Sequence, residues 1–398
     1  MSSDSAGRPP VIVLGSGITA LGVIRILVRN GLRAFSTETS DPLVTRSRWH
    51  RPMPIASKVS EGSLGDWLEQ TGLTHAVLMP CSDHWVGEVA TLDPEHHERF
   101  PSSVPKPDIL ERFVDKGYFA ALLRETATPH PFSRVVDSEA DLATVPQAVF
   151  SSAILKPRDS QSFFRRFGVK ALHVGSRADA AEQLTALRAE GFPVILQEYV
   201  PGPATQHYFV DGFVDRTGAV RAVFVRQRLR MFPLDFGNST YMVSVRPEAA
   251  AGAVSAITSL LTHAGYRGMF SAEFKLDPRD GVFKILEVNA RAWWYVDFAA
   301  RCGVDVCRMA YEDALERPVA EVKSYRVGQR LVFPYTDYFA CVALRQRGQL
   351  SRASWMRSWL GAMQPVFQLR DPAPSVRATA RIVATFLGSR LRRLASRS

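Results

Sequence analysis

The chain has 398 residues, enough for two or three domains with hydrophobic cores of their own. Its 46% hydrophobic and 22% charged residues are ordinary for a globular protein, and no apolar run reaches the length of a membrane span. The net charge is +10, and the four cysteines show neither CxxC pairing nor zinc-site spacing, which argues against a disulfide scaffold and predicts a cytoplasmic protein.

The first predicted elements are a strand, a glycine turn and a helix. The apolar residues 11–14 precede Gly15-x-Gly17-x-x-Ala20, and the following helix has an apolar face. This turn and Glu38, about 20 residues further on, match the fingerprint of dinucleotide-binding folds and would suit an NAD(P)-dependent oxidoreductase. The alternative is that the glycines serve only the tight turn of a doubly wound sheet. Both interpretations predict a Rossmann-like first domain.

The alternation of strand and helix continues through residues 75–90. Asp83 follows a predicted strand, at the edge where α/β sheets bind ligands, so it could line a substrate pocket. Because Ser82 and Asp83 are both good N-cap residues, we expect Asp83 to cap the next helix. The proline-rich segment PSSVPKP (101–107) then predicts a linker into a second domain.

Two lysines stand at predicted element boundaries in the central part. Lys116 begins a helix in VDKGYF (114–119), and Lys156 ends a strand in ILKP (154–157). A polar segment with Ser160 and Ser162 follows and predicts a loop. Further on, LQEYVPG (196–202), called the hinge segment below, combines a strand edge with a proline–glycine turn.

A strand with regularly spaced arginines comes next, in VFVRQRLRMF. Arg226, Arg228 and Arg230 face one side of it, and a guanidinium there can hold a carboxylate with two hydrogen bonds. The alternative is a basic solvated face. In the polar turn that follows, Asn238 and Ser239 are predicted to face a substrate.

The most informative segment is a predicted hairpin, FSAEFKLDPRDGVFKILEVNAR. A turn centred on position 280 places Glu273 opposite Glu287, with Asn289 on the same face. Opposed carboxylates destabilise a sheet unless a cation lies between them, and two glutamates with an asparagine suit Mg²⁺. Arg291 falls on this face at the strand end. The alternative is a solvated face on which Lys275 or Arg291 neutralises one glutamate.

The C-terminal end is strongly basic. No acidic residue follows Asp371, and VRATARIVATFL (376–387) predicts a basic amphipathic helix. Such a helix would lie on an anionic membrane surface or an acidic partner, pack against the chain itself, or remain solvated. Nucleic-acid binding is not predicted, because the basic stretch lacks interleaved aromatic residues and a recognised fold.

The order of these motifs resembles that of the ATP-grasp ligases. The resemblance implies an α/β protein with a Rossmann-like domain at 1–105, a two-lobed ATP-grasp domain at 106–315, and a small helical C-terminal region at 316–398. It implies ATP and Mg²⁺ as cofactors, with Mn²⁺ as a substitute. The implied phosphate contacts are Lys116, Lys156, Ser160, Ser162 and Arg291, the implied adenine contacts are Gln197, Glu198, Tyr199 and Val200, and the implied metal ligands are Glu273, Glu287 and Asn289.

The activity implied is that of a carboxylate–amine ligase, similar to the amino-acid ligases and the D-aspartate ligase type. Small carboxylate and amine substrates would be its partners, and homo-oligomer formation is left open. One departure matters, because GPATQ (202–206) lacks the acid that often binds the ribose hydroxyls in this family. Thr205 or Gln206 would substitute weakly. A catalytically silent nucleotide-binding protein therefore remains an alternative.

Overall fold

The N-terminal part is a small parallel α/β unit. The computed structural model describes residues 7–54, 63–157, 163 and 166–376. Strands β1 (Val11–Leu14), β2 (Ala34–Ser36) and β3 (Val77–Pro80) form a parallel sheet in the order β2–β1–β3. The helices around it are α1 (Gly17–Arg29), α2 (Pro42–Thr45), α3 (Leu64–Glu69), α4 (Asp83–Ala90) and α5 (Pro94–Arg99). The predicted strand, glycine turn and helix are thus confirmed.

Helix α4 is capped by Ser82 and not by Asp83, so the expected cap is wrong. The Oγ atom of Ser82 accepts a hydrogen bond from the backbone N–H of Trp85 at 3.3 Å. Serine takes this position because its backbone is extended immediately before the helix, with φ −145° and ψ 162°. Asp83 is the first residue of the helix itself, and its carboxylate is directed to another part of the molecule.

A four-stranded antiparallel sheet follows the predicted linker. Its strands are β4 (Ser133–Val136), β5 (Ala153–Pro157), β6 (Leu172–Val174) and β7 (Val194–Glu198), in the order β4–β7–β5–β6. The helices of this part are α6 (Pro107–Val114), α7 (Lys116–Glu125), α8 (Glu139–Ala143) and α9 (Arg177–Ala189). Lys116 begins a helix and Lys156 lies at the end of a strand, as predicted.

A six-stranded sheet forms the other half of the central part. Its strands are β8 (His207–Val214), β9 (Val220–Phe232), β10 (Asn238–Val245), β11 (Gly268–Leu276), β12 (Phe283–Asn289) and β13 (Arg330–Val332), in the order β12–β11–β8–β9–β10–β13. Helices α10 (Ala251–His263), α11 (Val296–Cys302), α12 (Val306–Ala314), α13 (Pro334–Gln346) and α14 (Arg352–Trp359) complete the described elements. Because β13 pairs with β10, the C-terminal region extends this sheet.

Helix α11 begins at Val296. The segment before it is irregular, so that Trp293 and Tyr295 enter the core while Trp294 remains 45% exposed. Two of these three aromatic side chains therefore pack in the interior.

The C-terminal region is tied to the first helix by a buried ion pair. Arg25 of α1 is fully buried, and its Nε donates to Oδ2 of Asp371 at 3.0 Å. The same guanidinium donates to the carbonyl oxygens of Pro365 and Val366 at 3.0 and 2.9 Å. Burial lowers the pKa of Arg25, although Asp371 counteracts this. The pair is fully hydrogen-bonded, which a buried charge requires.

Two predicted features lie outside the described residues. The basic helix predicted from residue 376 falls almost entirely in 377–398, and Ser160 and Ser162 fall in 158–162. Among the residues that are described, no helix is both long enough and apolar enough to cross a membrane.

Candidate functional site

The hairpin of β11 and β12 has the predicted register at the glutamate pair, and a different register next to the turn. Glu273 is directly opposite Glu287, and Ser271 is opposite Asn289. An irregularity follows, so that Phe274 pairs with Ile285. The two glutamates and Asn289 thus meet at the end of the hairpin that is remote from its turn, as the alternation in FSAEFKL predicts.

The two glutamates have different surroundings. The Glu273 side chain is 15% exposed, and its Oε1 accepts from His207 Nδ1 at 2.8 Å and lies 3.0 Å from Arg228 Nη2. The Glu287 side chain is 50% exposed, and its nearest cation is Lys156, with Nζ at 4.0 Å from Oε2. Neither Lys275 nor Arg291 forms an ion pair with Glu273 within the described residues. The predicted neutralisation by one of them is therefore replaced by Arg228 and His207.

The protonation states at Glu273 follow from these contacts. Burial would raise the pKa of Glu273, but the Arg228 guanidinium and the His207 hydrogen bond hold that pKa well below its usual range. Burial, together with the charge of Arg228, lowers the pKa of His207 to about 4. At neutral pH, Glu273 is therefore ionised and His207 is a neutral donor to it.

Most of the predicted site residues line one cavity of about 360 Å³, called the hinge cavity below. Its walls come from the four-stranded sheet, the hinge segment and the six-stranded sheet. The predicted residues that line it are Lys156, Gln197, Glu198, Tyr199, Val200, Arg228, Glu273, Glu287, Asn289 and Arg291. These residues are far apart in the sequence, and the arrangement of the two sheets on either side of the cavity brings them together.

A neighbouring cavity of about 470 Å³ contains Lys116 and shares Lys156, Glu287 and Asn289 with the first. Lys116 is fixed because Asp115 caps its helix, with Oδ1 accepting from the Gly117 N–H at 2.8 Å. The Lys116 ammonium donates to the carbonyl of Pro157, the residue after Lys156. Both predicted lysines therefore line a cavity together with Glu287, from two different elements.

The three arginines of β9 are buried, so the predicted solvated face is wrong. Arg226 pairs with the buried Asp211, with Nε 2.7 Å from Oδ2, and Arg230 pairs with Asp337 at the same distance. Arg226 does not line either cavity described above. Its expected role in holding a substrate is replaced by this internal pair, whereas Arg228 does reach the cavity.

Asn238 and Ser239 contact cations of the cavity and do not line it. Asn238 Oδ1 accepts from Lys170 Nζ at 2.6 Å, and Ser239 Oγ accepts from Arg228 Nε at 2.8 Å. The expectation that both residues face a substrate is therefore corrected. They hold Lys170 and Arg228, which line the cavity.

The hinge segment is anchored on both sides. The Glu198 N–H donates to the Phe132 carbonyl at 2.8 Å, and the Tyr199 N–H donates to the Ser152 carbonyl at 2.7 Å. The Gln197 side chain donates to Ser133 at 2.9 Å. Among the described residues, no acceptor is found for the N–H of Val200, which lines the cavity. This N–H is therefore a backbone donor that the described part of the chain leaves without an acceptor.

Arg291 is held by the N-terminal part of the chain. Its Nε and Nη2 donate to the two oxygens of Asp83 at 2.8 and 3.0 Å, and Nη2 also donates to Asn289 at 3.1 Å. Asp83 lines both cavities. Asp83, which we expect from the sequence to cap a helix, instead orients Arg291 at the end of the β11–β12 hairpin.

Sequence reasoning missed several charged residues of the cavity. His207 and Lys170 gave no local signal, because their neighbours come from other strands. Lys275 lies two residues after Glu273 on the same strand, and its sequence position suggests only that it neutralises a glutamate. It is 3% exposed, its Nζ lies 4.8 Å from the centre of the Tyr199 ring, and burial lowers its pKa to about 8.

The glycine turn of the N-terminal part is filled by the chain itself. Asp41 Oδ2 accepts from the Gly17 N–H at 2.9 Å, where a dinucleotide-binding fold presents this group to a phosphate. The Glu38 carboxylate accepts from the N–H groups of Ser40 and Asp41 at 2.6 and 2.9 Å. The geometry favours the interpretation that the glycines serve the turn.

The chain resembles known proteins in sequence and in fold. No family model matches the sequence. The D-aspartate ligase of Enterococcus faecium (strain Aus0004) is 24% identical over 255 residues, which are 62% of this chain and 60% of that protein. The chain thus spans 60% of the length of the curated relative that it matches.

Two solved structures show the same fold. The biotin carboxylase domain of the Hydrogenobacter thermophilus 2-oxoglutarate carboxylase, complexed with MgADP, ADP and bicarbonate, has a TM-score of 0.62 at 15% identity, over 80% of this chain and 73% of that one. An L-amino acid ligase from Bacillus licheniformis has a TM-score of 0.56 at 13% identity, over 81% and 78%. The chain therefore has the α/β fold of the ATP-grasp ligases, as its motif order predicts.

Proposed function

We propose that this protein is an ATP-dependent ligase that activates a carboxylate as an acyl phosphate and joins it to an amine, releasing ADP. The observation that carries the proposal is the convergence of Glu273, Glu287 and Asn289 with Lys156 and Arg291 in the lining of one cavity, which the hinge segment also lines. Opposed acids beside several cations are the arrangement that a metal–triphosphate complex requires.

Glu273, Glu287 and Asn289 are the proposed ligands of Mg²⁺, with Mn²⁺ as a substitute. Oxygen atoms are the ligands that these ions prefer. The set fits, because His207 and Arg228 contact Oε1 of Glu273 and leave its Oε2 available. The described residues hold no group of three or more His, Cys, Asp or Glu side chains suited to a metal ion. Phosphate oxygens and water would therefore complete the coordination, and the ion would supply charge neutralisation.

Fixed cations are the proposed means of stabilising the transferred phosphoryl group. Lys116, Lys156 and Arg291 line the two cavities beside Glu287, and they come from three parts of the chain. A substrate carboxylate oxygen would attack the γ-phosphorus, forming an oxygen–phosphorus bond as ADP leaves. The amine would then attack the acyl carbon and expel phosphate, losing a proton. Ser160 and Ser162, outside the described residues, remain the proposed covering contacts.

The part of the cavity that the hinge segment lines, called its base end below, suits adenine. The N–H of Val200 would donate to the ring nitrogen, and Ile154 and Leu286 supply apolar walls. Gln197 lines the same end, although its amide already donates to Ser133. ATP is therefore the proposed nucleotide. A solved neighbour of this fold, described above, contains ADP and MgADP, which supports the proposal.

Amino acids are the proposed carboxylate and amine substrates. The relatives named above include a D-aspartate ligase and an L-amino acid ligase. Arg228 is the proposed contact for a substrate carboxylate, because its guanidinium reaches the cavity beside Glu273. Arg226 is left out of the proposed site, since Asp211 already binds it.

The experiment is a screen of amino acids, singly and in pairs, for ATP- and Mg²⁺-dependent release of ADP and phosphate. The active pair should lose at least about 100-fold in rate in Glu287→Gln, because one metal ligand loses its charge. Glu182→Gln, which changes an exposed glutamate of α9, should keep the parent's rate. ATP binding without ADP release for any pair would favour the catalytically silent alternative, and an equally active Glu287→Gln would refute the metal assignment.

A further inference from the structure

The hinge segment leaves the ribose of a bound nucleotide without an acidic partner from its own sequence. The residues after it, GPATQ, contain no carboxylate. A side chain at Gly202 would collide with the Gln206 amide, and the Thr205 carbonyl accepts from Gln227 at 2.7 Å. Thr205 and Gln206 do not line the hinge cavity, so they are not the substitutes that the sequence suggested.

A different loop brings a carboxylate to this end of the cavity. Asp235 lies in the connection between β9 and β10, and it lines the hinge cavity together with Tyr199, Val200 and Lys275. The next residue, Phe236, packs its ring against Tyr199, with 5.8 Å between the ring centres. Asp235 is thereby placed beside the hinge segment.

The position of this loop is fixed by close packing. A Cβ atom at Gly237 would lie 2.1 Å from both the carbonyl carbon of Phe232 and the carbonyl oxygen of Pro233, so only glycine fits there. Phe236 also contacts the ring of His173, with 4.9 Å between the ring centres. The loop is therefore held from both sheets, and its carboxylate is presented to the cavity by a constrained backbone.

Asp235 is an exposed carboxylate at this end of the cavity. Within the described residues it makes no hydrogen bond or ion pair, so its oxygens can accept from a ligand. Lys275 lines the cavity nearby, and its Nζ lies 4.8 Å from the centre of the Tyr199 ring. Asp235 also acts on the pKa values of Tyr199 and Lys275, which agrees with its closeness to both.

We propose that Asp235 is the residue that recognises the ribose hydroxyls of the nucleotide, in place of an acid after the hinge segment. The inference rests on the proposed ATP binding. A carboxylate is acceptor-only and can accept from two neighbouring hydroxyls at once, which suits a ribose diol. The same carboxylate distinguishes a ribonucleotide from a deoxyribonucleotide, because 2′-deoxyATP leaves one of its acceptor positions unused.

The test compares the dissociation constants of ATP and 2′-deoxyATP, measured by calorimetry on the full chain. The parent should bind ATP roughly tenfold or more tightly than 2′-deoxyATP, which is the usual effect of one hydrogen bond to a charged group. In Asp235→Asn this ratio should fall to about threefold or less. The ratio is the readout because the loss of a negative charge strengthens both complexes alike.

The control is Asp108→Asn, which removes an acid from the first turn of α6, outside both cavities. It should keep the parent's ratio. An Asp235→Asn protein with the parent's ratio, or one that loses both nucleotides equally, would overturn the assignment of Asp235 alone. A parent protein that binds neither nucleotide would overturn the proposed function, and with it this inference.

Discussion

The glycine turn after β1 and the hinge cavity each carry a sequence motif for a phosphate-containing ligand. In the glycine turn, the N–H of Gly17 is bound by Asp41, and Glu38 is turned onto its own backbone. In the hinge cavity, the Val200 N–H has no acceptor and Oε2 of Glu273 has no hydrogen-bond partner among the described residues. Both regions match a motif, and they differ in whether the chain itself occupies the ligand's position.

This difference shows where a motif carries information about binding. Glycines are needed wherever a strand turns sharply into a helix, so their presence is compatible with an empty or a filled anion site. Cations and acids gathered around an open volume are costly without a ligand. The hinge cavity, and not the glycine turn, is therefore the region in which substitutions should change nucleotide chemistry.

The largest effect is expected for Lys156→Met. This change removes a cation that lines both cavities, and kcat for ATP-dependent phosphate release should fall about 100-fold or more. Steady-state kinetics with the active substrate pair measures the effect. Lys323→Met, at an exposed position, is the matched control and should retain the parent's kcat. If Lys156→Met kept half of the parent's kcat, Lys156 would not be needed for phosphoryl transfer, and the contrast between the hinge cavity and the glycine turn would fail.

A second effect concerns the stability of the cavity at low pH. Because the pKa of His207 is lowered to about 4, the unfolded chain binds a proton between that value and 6.5 that the folded chain does not. Stability therefore rises with pH in this window and is lost as the pH falls through it. From pH 7.5 to 5, the parent should lose about 2 kcal/mol more than His207→Asn.

Urea unfolding at the two pH values provides the measurement. His75→Asn alters an exposed histidine and should keep the parent's pH dependence. If His207→Asn loses as much stability on acidification as the parent does, the neutral His207 donor to Glu273 is refuted.

A smaller effect is expected for Asp83→Asn. The two oxygens of Asp83 hold Arg291 by charge-assisted hydrogen bonds, so the amide should misplace the guanidinium and lower kcat/KM by about tenfold. Asp83→Glu should recover part of the loss, since it restores the charge. Equal kcat/KM values for the parent and Asp83→Asn would show that Arg291 needs no help from the N-terminal part.

The smallest effect is expected at the glycine turn itself. Asp41 caps α2 and binds the Gly17 N–H, so Asp41→Ala should lower the free energy of unfolding by about 1–2 kcal/mol. NADH fluorescence titration should detect no binding by the parent, because this carboxylate occupies the phosphate position. Saturable NADH binding by the parent protein would reverse the contrast between the two regions.

The parts of the site that could be predicted depend on local periodicity. Strand alternation predicted the pair of Glu273 and Glu287, although the turn is centred half a residue before position 280 and an irregularity next to Glu273 restores this pair. Element boundaries placed Lys116 and Lys156 correctly. These relations involve short stretches of chain, where a period of two or a capping residue decides the outcome.

The parts that could not be predicted depend on which strands are neighbours. Arg226 and Arg228 look equivalent in the sequence, but β8 supplies Asp211 to the first and β11 supplies Glu273 to the second. His207 reaches Glu273 only because β8 pairs with β11. No local pattern encodes these partners, and the same holds for Asp41 beside the glycine turn.

The buried pair of Arg25 and Asp371 has a consequence for how the chain is made. The first helix contains a guanidinium whose carboxylate partner is 346 residues further along the chain. While the protein is being synthesised, the N-terminal part can form its sheet early, since domains usually fold as units in order of emergence. Helix α1, however, cannot form this buried ion pair until residue 371 has left the ribosome. Packing of the N-terminal part is therefore completed only after the C-terminal region up to this residue has been synthesised.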